Sequence, residues 1–163
     1  MKNTLNLCKI SPEYLRFMHS LDNRISVKYN NRPFVGVVTI IDGLNYVLPL
    51  TSQTTKERKL EGKKKRSPIL TTFVKNSKGE EIANILHNNM FPVKEGAYSI
   101  ISIDPEQDTY ESNEIRFIRK NMTKIIEKTI KLHEKVMKQN NNFLRVTCCN
   151  FKKLEEHYQE FNS

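Results

Sequence analysis

A chain of 163 residues is long enough to bury one hydrophobic core and short enough to be one domain. Its 27 Lys and Arg against 18 Asp and Glu leave a net charge of +9, which points to an anionic partner, most simply RNA or DNA. No apolar run approaches the ~20 residues of a membrane span, and Met1–Leu7 lacks the apolar segment of a signal peptide, so a cytoplasmic, reducing setting without a membrane partner is expected.

Ser11-Pro12-Glu13 opens a helix: a serine N-cap, a proline at the first helical position and an acid in the first turn coincide there. Tyr14, Phe17, Met18 and Leu21 recur at helical spacing until Asp22-Asn23. Residues 26–33 read as a loop carrying Lys28, Tyr29 and Arg32. Phe34–Ile41 is nearly all apolar and β-branched, the composition of a buried central strand, and Gly36 within it marks a bulge or a close approach by another backbone. Asp42-Gly43 turns the chain into a partner strand, Leu44–Leu50, which delivers Thr51 and Ser52 at its end. Residues 56–66 hold seven basic and two acidic side chains around Gly62 and are expected to form an exposed, mobile loop.

Shorter strands are expected at Ile69–Val74 and Glu81–Leu86, around a turn at Asn76-Ser77-Lys78-Gly79, and again at Met90–Val93 and Tyr98–Ile103. Asp104, Glu106 and Asp108 flank Pro105, where a solvated acidic loop is a plainer reading than a Mg²⁺ site. From Ile115 through Ile118, Met122, Ile125, Thr129 and Leu132 to Val136, steps of three and four predict one long amphipathic helix in the C-terminal third, ended by Asn140-Asn141-Asn142. Phe143–Cys148 reads as a last strand, and Asn150 as the cap of a short helix containing Leu154, Tyr158 and Phe161. The sum is α+β: one domain, residues 1–163, with a mainly antiparallel sheet and surrounding helices.

Cys8 is isolated and Cys148-Cys149 are neighbours, so neither a disulfide framework nor a zinc pattern is present and buried thiols are expected. His19, His87, His133 and His157 are scattered singly and read as surface or core residues. No P-loop, GxGxxG, HExxH or GxSxG occurs, and no cofactor or metal is expected.

Two adjacent hydroxyls at a strand end, beside concentrated cations, suit chemistry on a phosphodiester. Metal-independent RNA cleavage needs the 2′-hydroxyl aligned and deprotonated, the phosphorane charge stabilised and the 5′-oxygen protonated; positioning and electrostatics supply most of the acceleration. Arg32 and Lys56 suit the non-bridging oxygens, Thr51 and Ser52 suit hydrogen bonds to the phosphate or the 2′-hydroxyl, and Tyr29 or Lys56 suits proton transfer. Lys28, Arg58, Lys59, Lys63, Lys64, Lys65 and Arg66 suit the RNA backbone. Plainer readings stand beside these: Thr-Ser after a strand is also a common turn or N-cap, and a basic run is also a common solvated surface.

Four stretches of the chain resemble the toxins of type III toxin–antitoxin and phage abortive-infection systems, the ToxN/AbiQ-type endoribonucleases. They are Ile10–Leu15 with Leu21-Asp22, Arg32–Val37 through Tyr46–Ser52, Asn88–Val93, and Cys149–Phe151 with Leu154–Glu156 and Tyr158, in order from end to end; the second is the most specific. The resemblance implies a twisted antiparallel sheet similar to the MazF/Kid toxins, and sequence-selective cleavage of single-stranded RNA without metal to 2′,3′-cyclic phosphate ends. It also implies inhibition by a small antitoxin RNA of repeated pseudoknots, which the toxin cuts from its precursor, and RNA-bridged higher-order assembly. The family's active-site serine maps onto Ser52 with Thr51 beside it, a lysine onto Lys56, a cationic position onto Arg32 and a groove aromatic onto Tyr29. Relatives often carry a tyrosine and a glutamine where this chain has Ser112 and Glu114, so roles borne by that pair are not carried over. Two readings from other classes remain beside the enzyme: a non-catalytic RNA-binding module on the same basic surface, and a protein-interaction domain using the long helix's apolar face.

Overall fold

A computed structural model of the chain describes residues 4–28, 32–138 and 141–162. Seven strands, β1 (Asn6–Ile10), β2 (Phe34–Ile41), β3 (Leu44–Thr51), β4 (Thr71–Lys75), β5 (Glu81–Leu86), β6 (Phe91–Pro92) and β7 (Tyr98–Ile101), pair antiparallel throughout. The order across the sheet is β4-β5-β3-β2-β1-β7, with β6 paired to β3 beside β5. Six helices surround it: α1 (Pro12–Leu21), α2 (Thr55–Leu60), α3 (Tyr110–Lys120), α4 (Met122–Lys138), α5 (Asn142–Thr147) and α6 (Phe151–His157). The α+β class and the antiparallel sheet are those expected from the sequence.

The β2–β3 hairpin is the centre of the sheet and follows directly from its residues. Gly43 takes a φ of 81° in the turn, a conformation open to glycine at no steric cost. Gly36 serves as both bulge and close approach: the register shifts between Val35 and Val38, and a Cβ at Gly36 would lie 2.9 Å from Val47 Cγ1. Phe34, Val35, Val38, Tyr46, Val47 and Leu48 are fully buried. On one face Tyr14 of α1 meets Phe91 and Phe161 with ring centroids 6.3 and 5.1 Å away, and its hydroxyl donates to the Pro92 carbonyl at 2.6 Å. Tyr46 forms a second cluster with His133 and Phe151, and both the Tyr46 hydroxyl and His133 Nε2 lie 2.6 Å from Glu155 Oε2.

His87, wholly buried, is a core histidine. The Thr129 hydroxyl donates to the Ile125 carbonyl, so towards His87 Nδ1, 3.1 Å away, its oxygen can only accept. The Nδ1–H tautomer follows, with Nε2 accepting from Thr72 Oγ1 at 2.7 Å. All three cysteines are buried and carry no disulfide.

Four expectations are corrected. Residues 6–10 form a strand that the sequence reading did not anticipate, because Leu7 and Cys8 are both buried and the segment lacks a period of two. β1 lies between β2 and β7, with Leu7 opposite both Val35 and Ile101. A long helix does occupy the C-terminal third, α4, but it does not reach back to Ile115: Asn121, with φ −107° and ψ 18°, caps the separate helix α3, and its amide side chain donates back to the Phe117 carbonyl at 2.9 Å. The 56–66 segment begins as a helix rather than a loop, because Thr54 caps α2 by accepting from the Glu57 N–H at 3.4 Å. Phe143–Thr147 lies in a helix and Cys148 is its extended C-cap: Asn141 accepts from the Leu144 N–H, and only Leu144 of α5 is buried. Leu144, Val146 and Cys148 alternate with Arg145 and Thr147 as a strand would, but six residues are too few for that alternation to exclude a helix. No helix among the described residues is long and apolar enough to cross a membrane.

Candidate active site

Thr51 is the last residue of β3, only 5% exposed, and sits opposite Asn84 of β5. Its hydroxyl oxygen accepts from Arg32 Nη1 at 3.1 Å and from the Gln53 N–H at 3.2 Å. With both lone pairs used, what Thr51 has left to offer is its proton, which makes it a hydrogen-bond donor to whatever oxygen docks beside Arg32. Ser52, next along the chain, is exposed. Lys56 is exposed on the first turn of α2, two residues after its Thr54 cap. Of the hydroxyl pair, Ser52 is exposed and Thr51 buried; neither is the N-cap, which is Thr54, but Thr51 does close a local turn through the Gln53 N–H, as the plainer reading expected.

A polar layer under this edge holds it in place. Gln53 Oε1 accepts from Arg58 Nη1 at 3.2 Å and Arg66 Nη2 at 2.9 Å, and its amide donates to Glu61 at 2.9 Å. Arg66 Nε also donates to Asn84 Oδ1 at 3.2 Å, and Asn84 in turn donates to Glu81 Oε2 at 2.9 Å. The same Glu81 oxygen accepts from the Thr55 N–H and hydroxyl at 2.6 and 3.0 Å, fixing the start of α2. Burial alone would raise the Glu81 carboxyl, but the hydrogen bonds from Asn84 and Thr55 outweigh it and hold the group below the ordinary carboxylate range. Gln53, Asn84 and Glu81 were not singled out from sequence; the one signal is that Asn84 is a polar residue in an apolar strand, opposite the end of β3.

The basic side chains divide by geometry. Arg58 and Arg66 direct their guanidinium groups inward, onto Gln53 and, for Arg58, the Lys64 carbonyl at 2.8 Å. Lys59, Lys63, Lys64 and Lys65 are exposed; Lys63 pairs with Glu61 at 3.2 Å, and the Lys65 ammonium lies 4.9 Å above the Phe73 ring. Lys28 is exposed in the loop before β2, and Tyr29 lies outside the described residues.

On the other side of Arg32 a cleft of about 410 Å³ opens between β1, the end of β7 and the first turns of α3. Leu7, Pro33, Ile101 and Ile103 supply its apolar walls, and Lys9, Arg32, Tyr110, Glu111 and Glu114 its polar edge. Thr109 caps α3, and Ser112, buried, donates to the Asp104 carbonyl at 2.6 Å, so the first turn is anchored at its root. Asp104, Glu106 and Asp108 belong to this loop; Asp104 accepts from the Glu106 N–H at 2.9 Å, and Arg116 donates to the Pro105 and Gln107 carbonyls. Burial, then the nearby Glu111 carboxylate, push Glu114 up to about 7.

A sequence model of the family described as toxin ToxN of type III toxin–antitoxin systems matches residues 6–159. Endoribonuclease ToxN of Bacillus thuringiensis subsp. kurstaki is 30% identical over 93% of this chain and 81% of its own length. Endoribonuclease ToxN of Pectobacterium atrosepticum is 27% identical over 93% of this chain and 91% of its own. Two solved structures superpose with TM-scores of 0.81. One, from work on selective inhibition of a bacterial type III toxin by a non-coding RNA pseudoknot, is 26% identical and covers 97% of this chain and 98% of its own. The other, AbiQ, a lactococcal anti-phage endoribonuclease of the type III class, is 20% identical and covers 96% and 97%.

Proposed function

The chain belongs to the ToxN family of type III toxin–antitoxin toxins, and from that premise we propose that it is an endoribonuclease cleaving single-stranded RNA by metal-independent transesterification at Thr51 and Ser52. The observation that carries the reading is the 3.1 Å bond from Arg32 to a threonine hydroxyl whose remaining capacity is to donate. A non-bridging phosphate oxygen seated there meets a guanidinium and an O–H together, both strongest when the phosphorane carries its extra charge. Ser52, exposed beside it, orients the ribose 2′-hydroxyl, and Lys56 adds positive charge from α2.

The 2′-oxygen bonds to phosphorus as its proton departs. The bond from phosphorus to the 5′-oxygen then breaks, and that oxygen takes up a proton. The products are a 2′,3′-cyclic phosphate and a 5′-hydroxyl. Lys28, Lys59, Lys63 and Lys64 are the exposed cations that follow the RNA backbone across this face. Arg58 and Arg66 act from beneath, through Gln53.

By the same premise the physiological inhibitor is a small RNA of pseudoknot repeats that the toxin cuts from its own precursor. Toxin and RNA assemble into RNA-bridged complexes, and the released enzyme attacks cellular or phage RNA in abortive infection. The test is cleavage of single-stranded RNA in excess EDTA by the wild type and by Ser52→Ala. Wild-type activity with cyclic-phosphate ends, lost in Ser52→Ala while RNA binding is kept, is the expected result. A requirement for Mg²⁺, or full activity in Ser52→Ala, overturns the assignment.

A further inference from the structure

Among the described residues, one buried side-chain oxygen or nitrogen has no hydrogen-bond partner: Glu114 Oε1. Glu114 is 2% exposed and lines the cleft beside Arg32. A buried acceptor is costly to leave unmet, and native folds keep one where something else completes it. In the carboxylate form this oxygen can only accept, so the partner that completes it is a donor.

Tyr110, one helical turn earlier, narrows the geometry. Its hydroxyl hydrogen goes to the Ile82 carbonyl at 2.6 Å, so that donor is committed elsewhere and does not complete Glu114 Oε1. The cleft offers a shape to match: Leu7, Ile101 and Pro33 make flat apolar walls and the half-exposed Tyr110 ring a face for stacking. Its volume lies within the range of small-ligand sites. Arg32 belongs to this cleft and to the Thr51 hydroxyl at once, so an occupant of the cleft is the nucleoside flanking the phosphate held at Thr51.

We propose that this cleft is a nucleobase pocket, and that Glu114 Oε1 accepts a hydrogen bond from the exocyclic amino group of the base seated there, making Glu114 a specificity-determining residue. The inference rests on the endoribonuclease reading for its position along the RNA, but not for its chemistry.

The test is a cycle between protein and RNA. Each base near the cleaved bond of a short substrate is replaced in turn by its analogue lacking the amino group: purine riboside for adenosine, inosine for guanosine, 2-pyrimidinone riboside for cytidine. Cleavage and binding are measured with wild type, Glu114→Gln and Glu114→Leu, binding on oligonucleotides with a 2′-deoxy sugar at the cleaved position. At one position next to the cleaved bond, loss of the amino group lowers wild-type cleavage and affinity roughly tenfold to a hundredfold. Glu114→Gln, which keeps an acceptor oxygen, retains that discrimination, and Glu114→Leu loses it. Equal sensitivity to the amino group in wild type and Glu114→Leu at every position overturns the proposal. If no RNA is cleaved, the enzymatic reading fails alone, and the binding cycle still decides for or against the pocket.

Discussion

Replacing Thr51 by Val keeps the shape of the side chain and removes one oxygen. Two bonds go with it, from Arg32 and from the Gln53 N–H. At about 1 kcal/mol net for each, and with Arg32 exposed enough for water to take over part of its share, the fold should lose about 1–2 kcal/mol. Catalysis should lose more. A donor aimed at developing charge is worth about 10²–10³ in rate, roughly 2.7–4 kcal/mol, because its bond strengthens in the transition state. Single-turnover cleavage of a short single-stranded RNA, alongside urea unfolding, separates the two effects. Thr51→Val should stay folded, bind RNA within a few-fold of wild type and cleave about 10²–10³ more slowly, and Thr51→Ser should recover most of the rate. Cleavage by Thr51→Val within threefold of wild type would refute the donor argument.

The supporting layer makes further commitments. Gln53→Ala removes the amide that gathers Arg58 and Arg66 and should lower kcat about tenfold with little loss of affinity, read by the same kinetics; an unchanged kcat counts against a positioning role. Gly36→Ala places a methyl 2.9 Å from Val47 Cγ1 and 3.4 Å from the Tyr46 carbonyl oxygen, and should cost about 1–3 kcal/mol of stability in urea titration. His87 is held down to about 3 by burial and by the nearby Lys128 ammonium, whereas in the unfolded chain it titrates near its ordinary value of 6.5. The unfolded state therefore binds the extra proton between those values, and stability should fall as pH drops from 6.5 towards 3, by up to about 1.4 kcal/mol per pH unit. His87→Gln should flatten that slope, and an unaltered slope would place the acid sensitivity elsewhere.

The hairpin, the α1 cap and the strand-end hydroxyls were legible in sequence because each is written in local chemistry. Ser11-Pro12, Asp42-Gly43 and the β-branched run from Phe34 need no distant partner to declare themselves. β1 failed that test: Asn6–Ile10 is a strand only because β2 and β7 flank it. The helix break at Asn121 was masked by an apolar stripe that continues in phase across it, and α5 by a run too short to show its period. Within the site, Arg32, Thr51, Ser52 and Lys56 stood out as residue types beside a strand end. Gln53 and Asn84 did not, since their importance lies in bonds to residues up to 18 positions away. Ser112 and Glu114 registered only as a mismatch with relatives. Their meaning, an anchored helix start and an unmet acceptor, needed the cleft around them.

β3 is laced to β2 along one flank and to β5 and β6 along the other, and the hydroxyls of Thr51 and Ser52 sit at its end. Amides in such a central strand are expected to exchange with solvent near the limit set by global opening, which makes the platform one of the last parts of the molecule to loosen. On the proposed function, restraint of the enzyme is therefore expected to act by covering the end of β3 rather than by unfolding it. On the same reading, removal of that cover leaves the strand end folded and in place for chemistry.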